Sequence, residues 1–164
     1  MVERFYQRPV SLRDIDELAE MLHPDDIAEL RACGAYKEGD KLCDVLDTSV
    51  SNSEVTYVIR CVKSHLPMAI GGYTVHGYCW FLSSKALIDL SAPERHEFRQ
   101  MLMVNLLSTL KLFPKLENMA WSKNKQHLRL IEACGGHLMG EHMLPTGEYF
   151  VHFEFLREDY PQLN

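Results

Sequence analysis

Any chemistry in this chain has to come from its eight histidines, its five cysteines and a few polar residues near helix ends. His127 lies three residues after Asn124, where an apolar helical pattern begins, so its imidazole is one candidate base. A histidine on a helix is more often a surface or hydrogen-bonded residue, and an asparagine just before a helix reads first as its N-cap. His137 and His142 are five apart on an expected strand, so they point to opposite faces and make a poor metal pair. No metal site is predicted. Cys33, Cys43, Cys61, Cys79 and Cys134 are an odd set without a CxxC pair, which fits reduced thiols better than a disulfide framework. Cys134, just before Gly135-Gly136, reads as a buried small residue. No Ser-His-Asp or Cys-His signature stands out, so no catalytic residue is assigned.

The elements that would position such residues form one expected domain over 1–164. A chain of this length buries roughly 70% of its unfolded surface. Hydrophobic residues at 46% and charged residues at 24% are ordinary for a globular protein. A net charge of −6 argues against a protein that coats nucleic acid. The start has no apolar signal core, and no run reaches the ~18 apolar residues of a membrane span, so an intracellular protein is expected.

Residues 4–10 suit a strand, and Ser11-Leu12-Arg13-Asp14 is an S-x-x-D cap for a helix carrying Ile15, Leu18, Ala19 and Leu22. A second helix begins near Pro24, with Asp25 and Asp26 in its first turn, and stops at Gly34. Leu42, Val45 and Leu46 predict a third, shorter one. Residues 55–62, 67–73 and 78–82 are β-branched or aromatic runs with connections too short for crossovers, hence an antiparallel meander. Ser91-Ala92-Pro93-Glu94 is a capping box opening a long helix, with Phe98, Met101, Leu102, Leu106, Leu110 and Phe113 on its apolar face and Pro114 at its end. That helix is a crossover joining parallel strands at Tyr78 and Glu117. A helix over 125–134 follows, then a hairpin of 137–143 and 149–155 around Pro145-Thr146-Gly147. The order β-α-α-α-β-β-β-α-β-α-β-β gives a mixed sheet with helices on both sides.

That order resembles the GNAT (N-acetyltransferase) fold. The most specific match is Asn124 with Gly135 eleven positions on, and Leu128 and Leu130 at the apolar places between; Arg8–Leu18 also resembles a GNAT first strand and helix. Pro67–Gly72, Cys79-Trp80-Phe81, Asn118, Trp121, Asn124, His127-Leu128-Arg129 and Gly135, continuing through Gly147–Phe155, make a second match. Over roughly 66–156 these residues resemble internal virion proteins of short-tailed, T-seven-like bacteriophages.

The GNAT resemblance implies an acetyl-CoA groove, and if it is retained Trp80, Phe81, Ser83 and Asn124 would line it. It also implies a glycine-rich turn before the long helix, whose amides would hold the pyrophosphate. No glycine occurs between Gly77 and Gly135; the segment Ser83–Pro93 carries Asp89, which opposes phosphate, and Pro93, which lacks an N–H. Lys85, Arg95 and the helix start remain as anion holders. The tyrosine acid of many such enzymes falls on Ile131, which donates no proton. Tyr78 and Tyr149 could substitute but read as packed sheet residues, and Trp80 and Trp121 as core beside the acyl groove.

The expected function is therefore a phage internal virion or morphogenesis protein on a GNAT-like α/β frame with a degenerate acetyl-CoA site. It would work with other phage virion proteins in the host cytoplasm or virion interior, with no cofactor held tightly. The alternatives are a divergent N-acetyltransferase acting on a host or phage target, and a module that binds peptide or nucleotide in the old groove.

Overall fold

The computed structural model describes residues 3–163. Strand β1 (Phe5–Pro9) leads into α1 (Leu12–Met21), whose N-cap is a true capping box: Ser11 Oγ accepts from the Asp14 N–H, and Asp14 Oδ2 accepts from the Ser11 N–H at 2.8 Å. Helix α2 is Pro24–Ala32, with His23 Nδ1 accepting from the Asp25 N–H. Helix α3 runs Leu42–Ser51, ten residues like α1 and longer than its three apolar positions suggest.

Strands β2 (Val55–Cys61), β3 (Pro67–Tyr73) and β4 (Cys79–Ser83) join β1 in a fully antiparallel sheet of order β1-β2-β3-β4. Both of its faces are covered. Phe98 and Leu102 of α4 (Ala92–Leu110) pack on Phe5, Ile59, Met68 and Ala69. On the other side Ile15, Leu18 and Leu46 of α1 and α3 pack on Ile70 and Leu82. This explains why β3 is buried from Pro67 through Gly72. Helix α4 ends at Leu110, a turn before Pro114; Phe113 lies beyond it and stacks edge-on against Tyr73 at 5.5 Å.

Strands β5 (Lys115–Trp121), β6 (His137–Met143) and β7 (Tyr149–Leu156) form a second antiparallel sheet of order β5-β7-β6. Helix α5 (Lys125–Ala133) lays Leu128 and Ile131 on its Leu116, Ala120, Val151, Phe153 and Phe155 face. Gly135, at φ 89°, ends α5 where a Cβ would come within 2.8 Å of Tyr160 Oη.

The mixed sheet read from the sequence is thus two sheets. Among the described residues they meet at one isolated parallel bridge, Tyr78 with Glu117. Asn118 Nδ2 adds a 2.9 Å bond to the Cys79 carbonyl. Beyond that point β4 and β5 do not pair and the sheet opens, with α4 spanning both halves: Phe98 and Leu102 pack on the first sheet and Leu110 on the second.

A buried ion network ties α1 to the first sheet. Arg60, 5% exposed, holds Asp14 Oδ1 at 2.5 Å and also pairs with Glu17, while Arg8 grips Asp14 at 2.6 and 2.7 Å. Burial raises the Asp14 pKa, but the Ser11 hydroxyl and Arg8, with Ser11 N–H and Arg60, outweigh it and hold it low.

Candidate functional site: the opening between the two sheets

The opening between β4 and β5 is a cavity of about 440 Å³. Tyr57, Trp80 and Phe81 wall it from one sheet, Leu116 and Phe153 from the other, with Leu102 and Leu106 of α4 across it. Gly72 also lines it; a Cβ there would sit 2.3 Å from the Val55 carbonyl, so that strand approach needs glycine. A second cavity of about 310 Å³ lies toward the start of α4 and shares Phe81, His127 and Leu130 with the first. Cys33, Cys79 and Cys134 line the larger space, and desolvation raises all three thiols, Cys79 to about 12, which favours their neutral form. Burial likewise raises Tyr57, whose phenol stays protonated.

The polar centre of this region is a four-residue cluster at the wide end of the opening. Asn124 is 1% exposed; its Oδ1 accepts from the His127 N–H at 3.2 Å, so it is the predicted N-cap of α5. Its Nδ2 donates to Asp26 Oδ1 at 3.1 Å and Glu29 Oε2 at 3.0 Å. Asp26 Oδ2 accepts from the Ser83 N–H and hydroxyl, both at 2.7 Å. Glu29 Oε1 accepts from the Trp121 N–H at 2.5 Å, and Glu29 Oε2 takes His127 Nδ1 at 3.0 Å. A carboxylate only accepts, so Nδ1 carries a proton and Nε2 is left for the cavities. Burial lowers the His127 pKa, but the Glu29 hydrogen bond and the Glu29 and Asp26 charges overcome it and raise it. The cluster clamps α2 to the end of β4, the end of β5 and the start of α5.

Asp26, Glu29 and His127 have ligand atoms within 4.8 Å of one another, as do Glu117, His152 and Glu154 on the second sheet. In the first group the carboxylate oxygens already accept protein N–H or O–H groups and the Asn124 amide fills the gap between them. In the second, Lys115 and His152 already sit on Glu117 at 3.1 and 2.9 Å. The first reads as a closed hydrogen-bonded cluster, and in the second Glu117 is already paired. His137 and His142 are exposed, and His137 pairs with Asp159.

Of the four residues expected at an acetyl-CoA groove, Trp80 and Phe81 line the larger cavity, and Phe81, Ser83 and Asn124 the smaller. Ser83 and Asn124 spend their polar atoms on Asp26 and Glu29 rather than facing a ligand. Trp80 and Trp121 are half-buried rather than core, each with its indole N–H bonded, to Ser53 Oγ at 2.7 Å and Glu148 Oε2 at 3.0 Å. Tyr78 and Tyr149, expected to be packed, are 48% and 51% exposed and line neither cavity. Ile131 is buried in the wall of the larger cavity. Sequence reasoning missed Glu29, and it took Asp26 only as a helix-dipole residue. Neither carries a local signal, because their partners lie 95 and 98 positions away in Asn124.

The start of α4 does not fit a pyrophosphate. The Glu94 carboxylate accepts from the Ser91 N–H at 2.8 Å and the Ser91 hydroxyl at 2.7 Å, and those contacts hold its pKa low. The Glu94 and Arg95 N–H groups are spent on Ser91, and Pro93 has none. A carboxylate thus stands where a phosphate oxygen would need those amides.

The two sheets opening at β4/β5, with α4 and α5 placed as they are, define the GNAT fold. Solved structures agree: the spermidine N-acetyltransferase of Vibrio cholerae superposes with a TM-score of 0.66 at 13% identity, covering 97% of this chain and 99% of that one. A GNAT-family acetyltransferase from Bacillus anthracis gives 0.68 at 11%, covering 96% and 98%. Identities this low establish the fold alone. Residues 56–143 match the family model described as bacteriophage T7, probable scaffold protein Gp13, and the chain belongs to that family. It is 29% identical over 97 residues to the probable scaffold protein gp13 of Escherichia phage T7, covering 56% of this chain and 70% of that protein.

Proposed function

We propose that this chain acts in phage virion morphogenesis, as a scaffold-type or internal virion protein on a GNAT frame that has lost the standard acetyl-transfer machinery. Membership of the Gp13 family carries the reading. The internally bonded amides at the start of α4 and the isoleucine at position 131 support the second half of it. Its partners are other virion proteins of the same phage, met in the infected host's cytoplasm and, once packaged, in the particle interior. No helix among the described residues is long and apolar enough to cross a membrane.

Mass spectrometry of purified particles and of assembly intermediates from infected cells tests the role. The protein is expected in one or both, and its deletion should leave particles incomplete. Absence from both, with normal particle yield on deletion, sinks the reading.

A further inference from the structure

The smaller cavity has a charged mouth that neither the fold nor the morphogenesis role explains. Arg95 and Arg99 stand one turn apart on α4, and Arg129 lies on α5; all three line this cavity and all three are exposed. Arg95 spends Nη1 on the Leu90 carbonyl at 2.7 Å. Arg99 and Arg129 form no ion pair or side-chain hydrogen bond among the described residues. The acidic residue on the wall is Asp26, and both its oxygens are committed to Ser83 and Asn124. The rest of the lining combines the apolar Leu87, Leu90, Phe98, Phe81 and Leu130 with Ser83, Asn124, Gln126 and His127. Phe81, Leu130 and His127 are shared with the larger cavity, where Leu102, Leu106, Leu116 and Phe155 continue the apolar wall.

We propose that the two cavities together bind an anionic amphiphile, a carboxylate-headed aliphatic chain. Its head lies between Arg99 and Arg129, and its tail runs past Phe81 and Leu130 into the 440 Å³ space. Guanidinium forks suit a carboxylate, and burying a chain in an apolar cavity supplies the remaining free energy. A nucleotide thioester is a different ligand: it would need main-chain amides for two phosphates, and at the start of α4 these are occupied by Ser91 and Glu94. The inference goes beyond the morphogenesis role and does not depend on it.

Dodecanoate, below its micellar range, is the ligand to titrate into the full chain, by calorimetry and by thermal melting. It should bind and raise the melting temperature. Dodecylammonium should do neither. Reversing both charges, with Arg99→Glu and Arg129→Glu, should weaken dodecanoate roughly tenfold or more, as the loss of charge-assisted contacts implies. The ligand-free melting temperature should hold, since both side chains are exposed. Leu106→Trp, which fills the larger cavity, should abolish binding; if that variant does not fold, the arginine pair decides. Equal binding of dodecylammonium, indifference to the charge reversal, no binding of dodecanoate, or tighter binding of acetyl-CoA would each overturn the proposal.

Discussion

Asn124 caps α5 with its oxygen and, through its nitrogen, holds two carboxylates of α2. The first role was legible from an asparagine ahead of an apolar periodic run. The second was not, since nothing local marks Asp26 or Glu29 as its partners. Removing the amide loses a cap and leaves two buried carboxylate oxygens each short of a donor, so Asn124→Ala should cost about 2–4 kcal/mol. Urea unfolding of the variant against the parent measures it, and a loss as small as a cap alone would mean that water replaces the amide. Ile131 was legible in the same direct way. An aliphatic side chain sits where a proton donor would be needed, and it serves as cavity wall.

At the scale of elements, the Glu29–His127 pair joins α2 to α5 across the wide end of the opening. His127 has a folded-state pKa above its ordinary 6.5. A raised value means that the folded protein binds the proton more tightly than the unfolded chain. The contribution is therefore full below pH 6.5 and is lost as pH rises through the raised folded value. The stability gap between the parent and His127→Gln should accordingly be widest at acidic pH and narrow toward alkaline pH. Chemical denaturation at several pH values reads this, and a gap that widens with pH would reverse the assignment. Most elements were legible because capping boxes, proline and apolar spacing act locally: Ser11 with Asp14 and Ser91 with Glu94 are where the sequence puts them. The apolar spacing predicts a longer α4, because it extends past Leu110 to Phe113. Its ring turns instead to Tyr73, a contact between segments forty residues apart.

At the scale of the molecule, the β4/β5 opening is what the fold offers for binding. What remains of it is apolar, with the polar cluster turned inward to tie its walls together. A chain whose α4 amides are already bonded should gain nothing from acetyl-CoA, so millimolar acetyl-CoA should leave the melting temperature unchanged. A concentration-dependent rise, lost on mutating the cavity wall, would favour a working acetyltransferase instead.

The sequence by itself determined the element order, the helix caps, the Asn124–Gly135 spacing and the absence of a glycine turn. Each of these depends on residue type within a few positions, where backbone and capping preferences act. Only the tertiary structure decided that the sheet divides in two, that Tyr78 and Tyr149 face solvent, and that Asp26 and Glu29 close on Asn124 and His127. It also brings three arginines to one mouth. Those outcomes rest on contacts between residues far apart in the chain, where burial and hydrogen-bond satisfaction govern. The unit from Leu116 to Gly136 shows both. Its strand, cap and stop are written locally, and what its asparagine and histidine do is settled by a helix ninety residues earlier.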